Sequence, residues 1–500
     1  MSSPAAAVHI SPAPHTLTRW FSFPVAIGFL LLLAIFFNNL EKRIIEPDIW
    51  WHLQNAHQTV STHSLPRIDH YSFTATGSGW MDHEWLSELL YYAGFRALGL
   101  RGILAVYVAC SMLIFGALYL MCGRAGANPK TASIVMVLGI IVAAVSFGPR
   151  MLLFGWLCMC ALLLILQKFA LTRSGPLWII PPLFCLWINL HGSWLFGLVV
   201  LGAFIVSGLF EGQWGIIWAQ RFSRTEVKKF MVVALATIAA LFVNPFGYRL
   251  VWYPFDLLFR QEANINNIEE WRSVDFHDPR AKAVMVMLLG ILGCGLLSRR
   301  RWWLHEVLLG AFALYASLTY WRMQFFAVLI FVPLIAARIT IFPPYDPQKE
   351  KPWLNAAIIF AVIAIMLARF PSEAVLEAKI REKFPEKALA FMHDHGIQDH
   401  VLNEYAWGGY MIWHSPEIKT FIDGRADIFV YNGVFDDYLR IDRIDKTLEL
   451  LDHYGIRYAL LHPNDASGYV LSHSPCWRKV YSDDVAVLYG RSNEGAITCT

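Results

Sequence analysis

Forty residues between the first two long apolar segments carry the densest set of reactive side chains in the chain: Glu46–Trp85, EPDIWWHLQNAHQTVSTHSLPRIDHYSFTATGSGWMDHEW. From Asp48, the apolar Ile49, Leu53, Ala56 and Val60 recur at helical spacing, and Asp48, His52, Asn55 and Thr59 form a polar stripe beside them. Leu65-Pro66 ends this helix. A Gly/Ser/Thr-rich link then leads to Asp82-His83-Glu84-Trp85, with Asp82 placed to cap a second helix running to about Leu98. Two carboxylate clusters joined by a flexible link could meet in space. One carboxylate, Asp48 foremost with Glu46, His52, Asp82, His83 and Glu84 in support, could take the proton of a hydroxyl nucleophile. Together they could instead hold a divalent cation such as Mg or Mn through oxygen ligands, or simply favour a helix start. No other cofactor is indicated.

The elements that must position these groups are apolar. Of 500 residues, 56% are hydrophobic and 16% charged, against about 25% charged in soluble domains. Eleven intervals have the composition of membrane spans: 20–40, 102–122, 131–148, 151–171, 176–190, 193–210, 229–245, 281–298, 303–320, 323–341 and 353–370. The first reads as a retained signal-anchor, since FFNNLEKR offers no small-residue cleavage site. Gly148-Pro149 breaks one long apolar run, and Asn189, His191 and Gly192 break another. Residues 249–262 are too short and too charged to cross and suit the membrane interface.

Charge divides the chain. Residues 371–500 hold 20 acidic and 13 basic side chains, and the remaining 370 residues hold 18 (38 − 20) and 28 (41 − 13). An apolar, basic body is therefore followed by an acidic tail of domain size. Alternate loops carry Arg124 and Lys130, Lys168 and Arg173, Arg221 to Lys229, Arg299 to Arg301, and Lys349 and Lys351. The positive-inside rule places these loops, and residues 1–19, in the cytoplasm. The first loop and the tail then lie outside. Arg150, Asn189, His191, Asn244, Glu269 to Arg272 and Tyr320 to Gln324 all fall at span ends on that same outer side. Ionisable groups at membrane depth are costly and commonly mark a site or pathway, although Trp, Tyr and Arg also serve as interfacial anchors.

Of the eight cysteines, Cys110, Cys122, Cys158, Cys160, Cys185 and Cys294 lie in or beside apolar runs as small hydrophobes. Cys476 and Cys499 in the tail could pair outside the cytoplasm. Within the tail, 372–395 and 444–454 read as helices. Val401 to Tyr405, Tyr410 to Trp413, Arg457 to His462 and Val485 to Tyr489 read as extended, and Lys419 to Val430 as a strand and turn around Asp423-Gly424-Arg425. That turn, with Asp427, could touch an acceptor sugar or pair internally.

The ordered motifs EPDIWWHLQ, WMDHEWLSELLYY, PRMLLF, LWINLHGSWLFG, NPFG, IEEW and NEYAWGGYMIWHSPEIKTFIDGRADIFV resemble the GT-C glycosyltransferases over nearly the whole chain. That superfamily includes protein O-mannosyltransferases, aminoarabinose transferases and oligosaccharyltransferases, and the similarity is nearest to its bacterial multi-pass members. The resemblance implies a multi-pass α-helical membrane protein of about 11 spans, in a bacterial inner membrane, with a C-terminal α/β soluble domain. It implies an inverting transfer of sugar from a polyprenyl-phosphate-linked donor to a glycan, lipid or protein acceptor, with no role for nucleic acid. Asp48 matches the acidic residue that acts as base or positions the acceptor. Where several relatives carry a Lys-Pro-Pro-like motif, this chain has Asp82 to Trp85 and offers no lysine for phosphate. Guanidinium geometry makes Arg150 and Arg322, with His191, the candidates for the donor phosphate. Glu270, Trp271, Asp423 and Arg425 are the candidates on the acceptor side. The Trp-Trp-Asp-Tyr-Gly motif of oligosaccharyltransferases is absent, and Ala406 to Tyr410 is only faintly similar, so peptide N-glycosylation is not expected. A flippase or transporter, or an envelope scaffold without activity, are the alternative readings. A transporter would distribute polar residues through the midplane, whereas here they gather at one side.

Overall fold

A computed structural model describes residues 20–40, 46–260, 262–398 and 400–492. The proposed N-terminal tail (1–19) and Cys499 lie outside them. Every one of the eleven apolar intervals contains a helix, but the lengths differ. Phe23–Leu40, Leu100–Arg124, Leu152–Thr172 and Trp321–Arg338 are long and apolar enough to cross a bilayer, and Pro352–Ala368 with Glu373–Arg381, bent by 58°, makes a fifth candidate. Pro129–Ala143, Leu177–Leu190, Trp194–Ser207, Arg224–Ala240, Ala281–Leu297 and Leu304–Thr319 are shorter than the ~20 residues a full span needs. The breaks shorten them. A 3₁₀ turn at Ala144–Ser146 ends one helix before Gly148-Pro149, and His191 in extended conformation ends another.

The bundle centres on Gln324–Arg338, buried along its whole length apart from Pro333. A helix apolar on every face belongs inside. Phe325 stacks on Trp156 at 5.3 Å, and Gly139 lets a neighbouring helix approach so closely that a Cβ would lie 2.8 Å from Val332. The free cysteines other than Cys185 are buried among these helices. The basic loops meet at one end of the bundle. Arg300 donates to the Ala337 carbonyl at 2.8 Å, Asn128 to that of Pro343 at 2.8 Å, and Arg338 pairs with Glu306 at 2.5 Å. A small sheet of β1 (Gly212–Trp214), β2 (Ile217–Ala219) and β3 (Trp302–Trp303) lies among these loops, a feature the apolar pattern gave no sign of.

At the other end, helices Ile49–Thr62 and Trp85–Leu98 form the first loop. Asp82 does not cap the second of them. Glu84 occupies the N-cap, and the Asp82 carboxylate instead accepts the Glu84 N–H at 3.2 Å. The amphipathic segment after Asn244 is the helix Tyr248–Arg260.

The tail holds a four-stranded sheet in the order β4-β5-β7-β6, from Val401–Asn403, Tyr458–Leu461, Trp477–Ser482 (β6) and Val487–Arg491 (β7). Helices Glu373–Arg381, Glu386–Asp394 and Thr447–His453 fall where expected. Tyr410 to Trp413 is helical, not extended, within Gly408–His414. Here Gly408 packs so tightly that a Cβ would strike the Ile422 carbonyl. Lys419 to Val430 contains no strand of the sheet. It makes one bridge, Thr420 to Ser72 of the first loop, and then the helix Ala426–Tyr431. Helices Val434–Asp442 and Ala466–His473 and strand β6 are additional to the expected elements.

Candidate active site

The first-loop helix meets the tail at its N-terminus. Asp48 accepts a hydrogen bond from Trp51 Nε1 at 3.2 Å, and both side chains lie against Gly424. A Cβ on Gly424 would collide with Asp48 Oδ1 and come within 2.9 Å of Asp48 Cγ and of Trp51 Nε1. Gly409 packs on the preceding turn, where a Cβ would lie 2.7 Å from the Pro47 carbonyl. Burial, then the neighbouring Glu46, pushes the Asp48 carboxyl up to about 7.

Arg150 stands beside this carboxylate. Its guanidinium pairs with Glu46 at 3.0 Å and with Glu270, a residue 120 positions away in sequence. Burial acts against the Glu270 carboxylate, but Arg150 and Arg322 outweigh it and hold its pKa below the usual range. Arg322 lies over the Trp271 ring at 4.2 Å and enters no ion pair among the described residues.

A second cluster forms around Glu84. His191 Nδ1 accepts the Ser193 N–H at 2.9 Å, so its Nε2 carries the proton and donates to Glu84 at 3.1 Å. His52 Nε2 lies 3.7 Å and His83 Nε2 3.9 Å from the same carboxyl group. Burial first, then Asp82, raises Glu84 to about 8, and burial lowers His83 to about 4. Glu84 is thus a protonated acid at neutral pH among uncharged histidines. The charges of Asp48 and Arg322 both act on Glu84, which joins the two clusters electrostatically. On the far side of His52, its Nδ1 contacts Glu88 at 2.7 Å and Asn55 donates to the same oxygen at 3.3 Å. Glu88 faces Asp82, and two buried carboxyl groups in contact hold at least one proton.

Asp423 and Arg425 are turned inward. Arg425 donates to both Asp423 oxygens, at 2.8 and 2.6 Å, and pairs with Asp69 of the first loop at 2.7 Å, all three side chains buried. Burial pushes Asp69 up, but Arg425 and the Ser72 hydroxyl outweigh it and hold its pKa low. Thr420 and Thr74 extend the seam, with Thr420 N–H donating to Tyr71 O at 3.1 Å and Thr74 Oγ1 to Phe421 O at 2.5 Å. Of the alternatives for this turn, internal pairing is the one observed for Asp423 and Arg425.

Asp48, Glu46, His52, Asp82, His83, Glu84, Arg150, His191, Glu270, Trp271 and Arg322 therefore lie in one neighbourhood. Asn189 and Asn244 are structural. Asn189 donates to the carbonyls of Cys185 (2.8 Å) and Val243 (2.9 Å) and accepts from Trp85, and Asn244 closes the turn before Gly247. Sequence reasoning missed Glu88, although its position four residues after Glu84 puts both on one helical face. Gly424 was missed as a contact of Asp48, which no local pattern encodes. Among the described residues no three His, Cys, Asp or Glu side chains converge to cage a metal ion. The carboxylates beside Asp48 are spanned by Arg150 instead. The reaction proposed for this site is derived from the chain's own residues.

A groove of about 690 Å³ runs from Trp85 along Pro182, Leu186, Phe242 and Val243. It is apolar, and Trp85, the residue after Glu84, donates to Asn189 in its wall at 3.1 Å. Among solved structures, the chain is similar to the oligosaccharyltransferase AglB of Archaeoglobus fulgidus. Its complex with an inhibitory peptide and a dolichol-phosphate matches with a TM-score of 0.54 at 10% identity, over 95% of this chain and 74% of that one. The form tethered to an acceptor peptide with an NVT sequon matches at 0.50 and 11% identity, over 95% and 75%. No family model and no curated protein sequence matches the chain, and at these identities the likeness speaks for the fold.

Proposed function

We propose that this protein is an integral membrane glycosyltransferase that moves a sugar from a polyprenyl-phosphate carrier to an acceptor hydroxyl on the outer side of the membrane, with inversion. One observation carries the reading: Asp48, with a carboxyl poised near neutrality, stands beside the cationic Arg150 and is linked through Glu84 to His191 and Arg322. The apolar groove ending at Trp85 suits an isoprenoid chain whose phosphate would reach Glu84, His191 and Arg322. The AglB structure that holds a dolichol-phosphate supports a lipid carrier for this fold. The segregation of basic loops from the site supports the orientation, with the tail (371–500) outside as a soluble domain and residues 20–370 forming the membrane body.

In this reading Asp48 takes the acceptor proton as the acceptor oxygen bonds to the anomeric carbon. The bond from that carbon to the phosphate oxygen breaks, and its electron pair leaves on the lipid phosphate. Attack from the face opposite the leaving group inverts the centre. Charge develops on the phosphate, so Arg322 stabilises the transition state more than the ground state, while His191, whose Nε2–H is donated to Glu84, holds that acid in place. Arg150, already shared by two carboxylates, tunes Asp48 and is not the phosphate clamp that its chemistry alone suggested.

The pH dependence tests this directly. Asp48 works ionised, so transfer should rise as pH passes about 7. Glu84 works protonated, as a donor near the phosphate, so the rate should fall as pH passes about 8. Glu84→Gln, which keeps an amide donor, should remove the alkaline limb alone. A profile flat from pH 5.5 to 9 in the wild-type protein would contradict the assignment.

A further inference from the structure

Beside the site lies a second cleft of about 590 Å³ with both polar and apolar walls, within the range of small-ligand sites. Three elements form it: the first-loop stretch around Trp80, the helix Tyr248–Arg260, and the tail helix Ala426–Tyr431. Its walls carry aromatic residues (Trp80, Phe246, Tyr253) and charged ones (Arg67, Arg249, Asp256, Asp427), with Arg67 over the Phe246 ring at 5.4 Å. Tyr253 donates to Asp427 at 3.3 Å, and its ring lies 4.4 Å from that of His83, the residue next to Glu84. The charge of Asp427 acts on Glu84. The cleft therefore reaches the reacting groups through Tyr253 and His83, and it shares Pro245 with the apolar groove.

We propose that this cleft binds the acceptor and that the acceptor is a carbohydrate chain, an inference that rests on the transferase reading. A sugar ring presents hydroxyls that donate to carboxylates and accept from guanidinium, and a C–H face that packs on aromatic rings. Carboxylates, two arginines and aromatic rings in one cleft match both surfaces. An extended peptide would bind most directly by adding a strand to an open edge, and the cleft offers none. Two of its walls are helices, and in the Trp80 stretch the Trp80 N–H already donates to Arg67 O at 2.8 Å and Ile68 is bridged to Gly79. Burial raises Asp427 to about 7, so a sugar hydroxyl can find it either as acceptor or, protonated, as donor.

The test uses the full-length protein in detergent or nanodiscs, with tetrasaccharides (cellotetraose, maltotetraose, chitotetraose) and Ser/Thr hexapeptides as probes. Saturation-transfer NMR and tryptophan fluorescence report binding, and undecaprenyl phosphate binding is measured in the same preparations. At least one saccharide should bind, and the near-isosteric Asp427→Asn and the exposed rim variant Arg249→Glu should each weaken it ten-fold or more. Undecaprenyl phosphate binding should remain unchanged in Arg249→Glu. Peptide binding that the saccharides do not displace, no saccharide binding, or saccharide binding indifferent to both variants would overturn the proposal. Saccharide binding of the expected kind without release of lipid phosphate in a donor assay would instead overturn the transferase reading and leave the cleft standing.

Discussion

Gly424→Ala is expected to reduce transfer by about 10²-fold or more, one methyl group acting on a residue 376 positions earlier in the chain. The backbone at Gly424 has no positive φ, so alanine is not strained there and the cost is one of space. The new carbon would overlap Asp48 Oδ1 and sit 2.9 Å from both Asp48 Cγ and Trp51 Nε1. Either the carboxylate rotates away and loses its Trp51 hydrogen bond, or the tail domain lifts. Both displace the proposed base from the acceptor oxygen. The measurement is kcat for the wild type and the variant, together with thermal stability. A variant that melts normally and transfers at the wild-type rate would show that the contact between tail and Asp48 is irrelevant to activity. Gly424→Ser should be at least as severe.

Arg425→Met should detach the first loop from the tail. The guanidinium is buried between Asp69 and Asp423 and lies over the rings of Tyr71 (4.9 Å) and Trp80 (5.2 Å). Removing it leaves two buried carboxyl groups without their cation, a loss of about 3–5 kcal/mol for a broken buried pair. Limited proteolysis should then cut within residues 63–84, and activity should fall with the docking. The sign of the effect also predicts a rescue. Combining Arg425→Met with Asp69→Asn and Asp423→Asn removes the stranded charge and should recover part of the stability. If the single variant is as protease-resistant as the wild type, this ion-pair network does not hold the seam.

What could be read from the sequence divides by range. Apolar length is a local signal, and every apolar interval contains a helix. How many of those helices span a bilayer is less legible, because breaks at residues such as His191 trim several below the full length. The helix from Ile49 follows from 3.6-residue phasing, but the burial of His52 and Asn55 does not, since the polar stripe faces Glu88 and Tyr71 rather than open solvent. The tail was harder. Tyr410 to Trp413 has strand-like composition, and tertiary packing of Gly408 and Gly409 overrides it. The pairing of Arg150 with Glu46 and Glu270, and of Arg425 with Asp69, joins residues far apart in the chain. Types and topology could bring those residues to one face, but only the folded chain says which carboxylate each arginine takes. That distinction pairs Arg150 with the acidic cluster, and of the two readings open for Asp423 and Arg425 it gives the internal pair.

The central claim is that Asp48 is the base of a lipid-linked sugar transfer. Its most direct test incubates purified wild type and Asp48→Asn with a panel of polyprenyl-phosphate sugars and acceptor oligosaccharides, and measures release of the polyprenyl phosphate. The wild type should release it with at least one donor, and the variant, inserted and folded to the same extent, should be slower by about 10²–10⁴-fold. Equal release by the two proteins, or none from the wild type with any donor, would contradict the account.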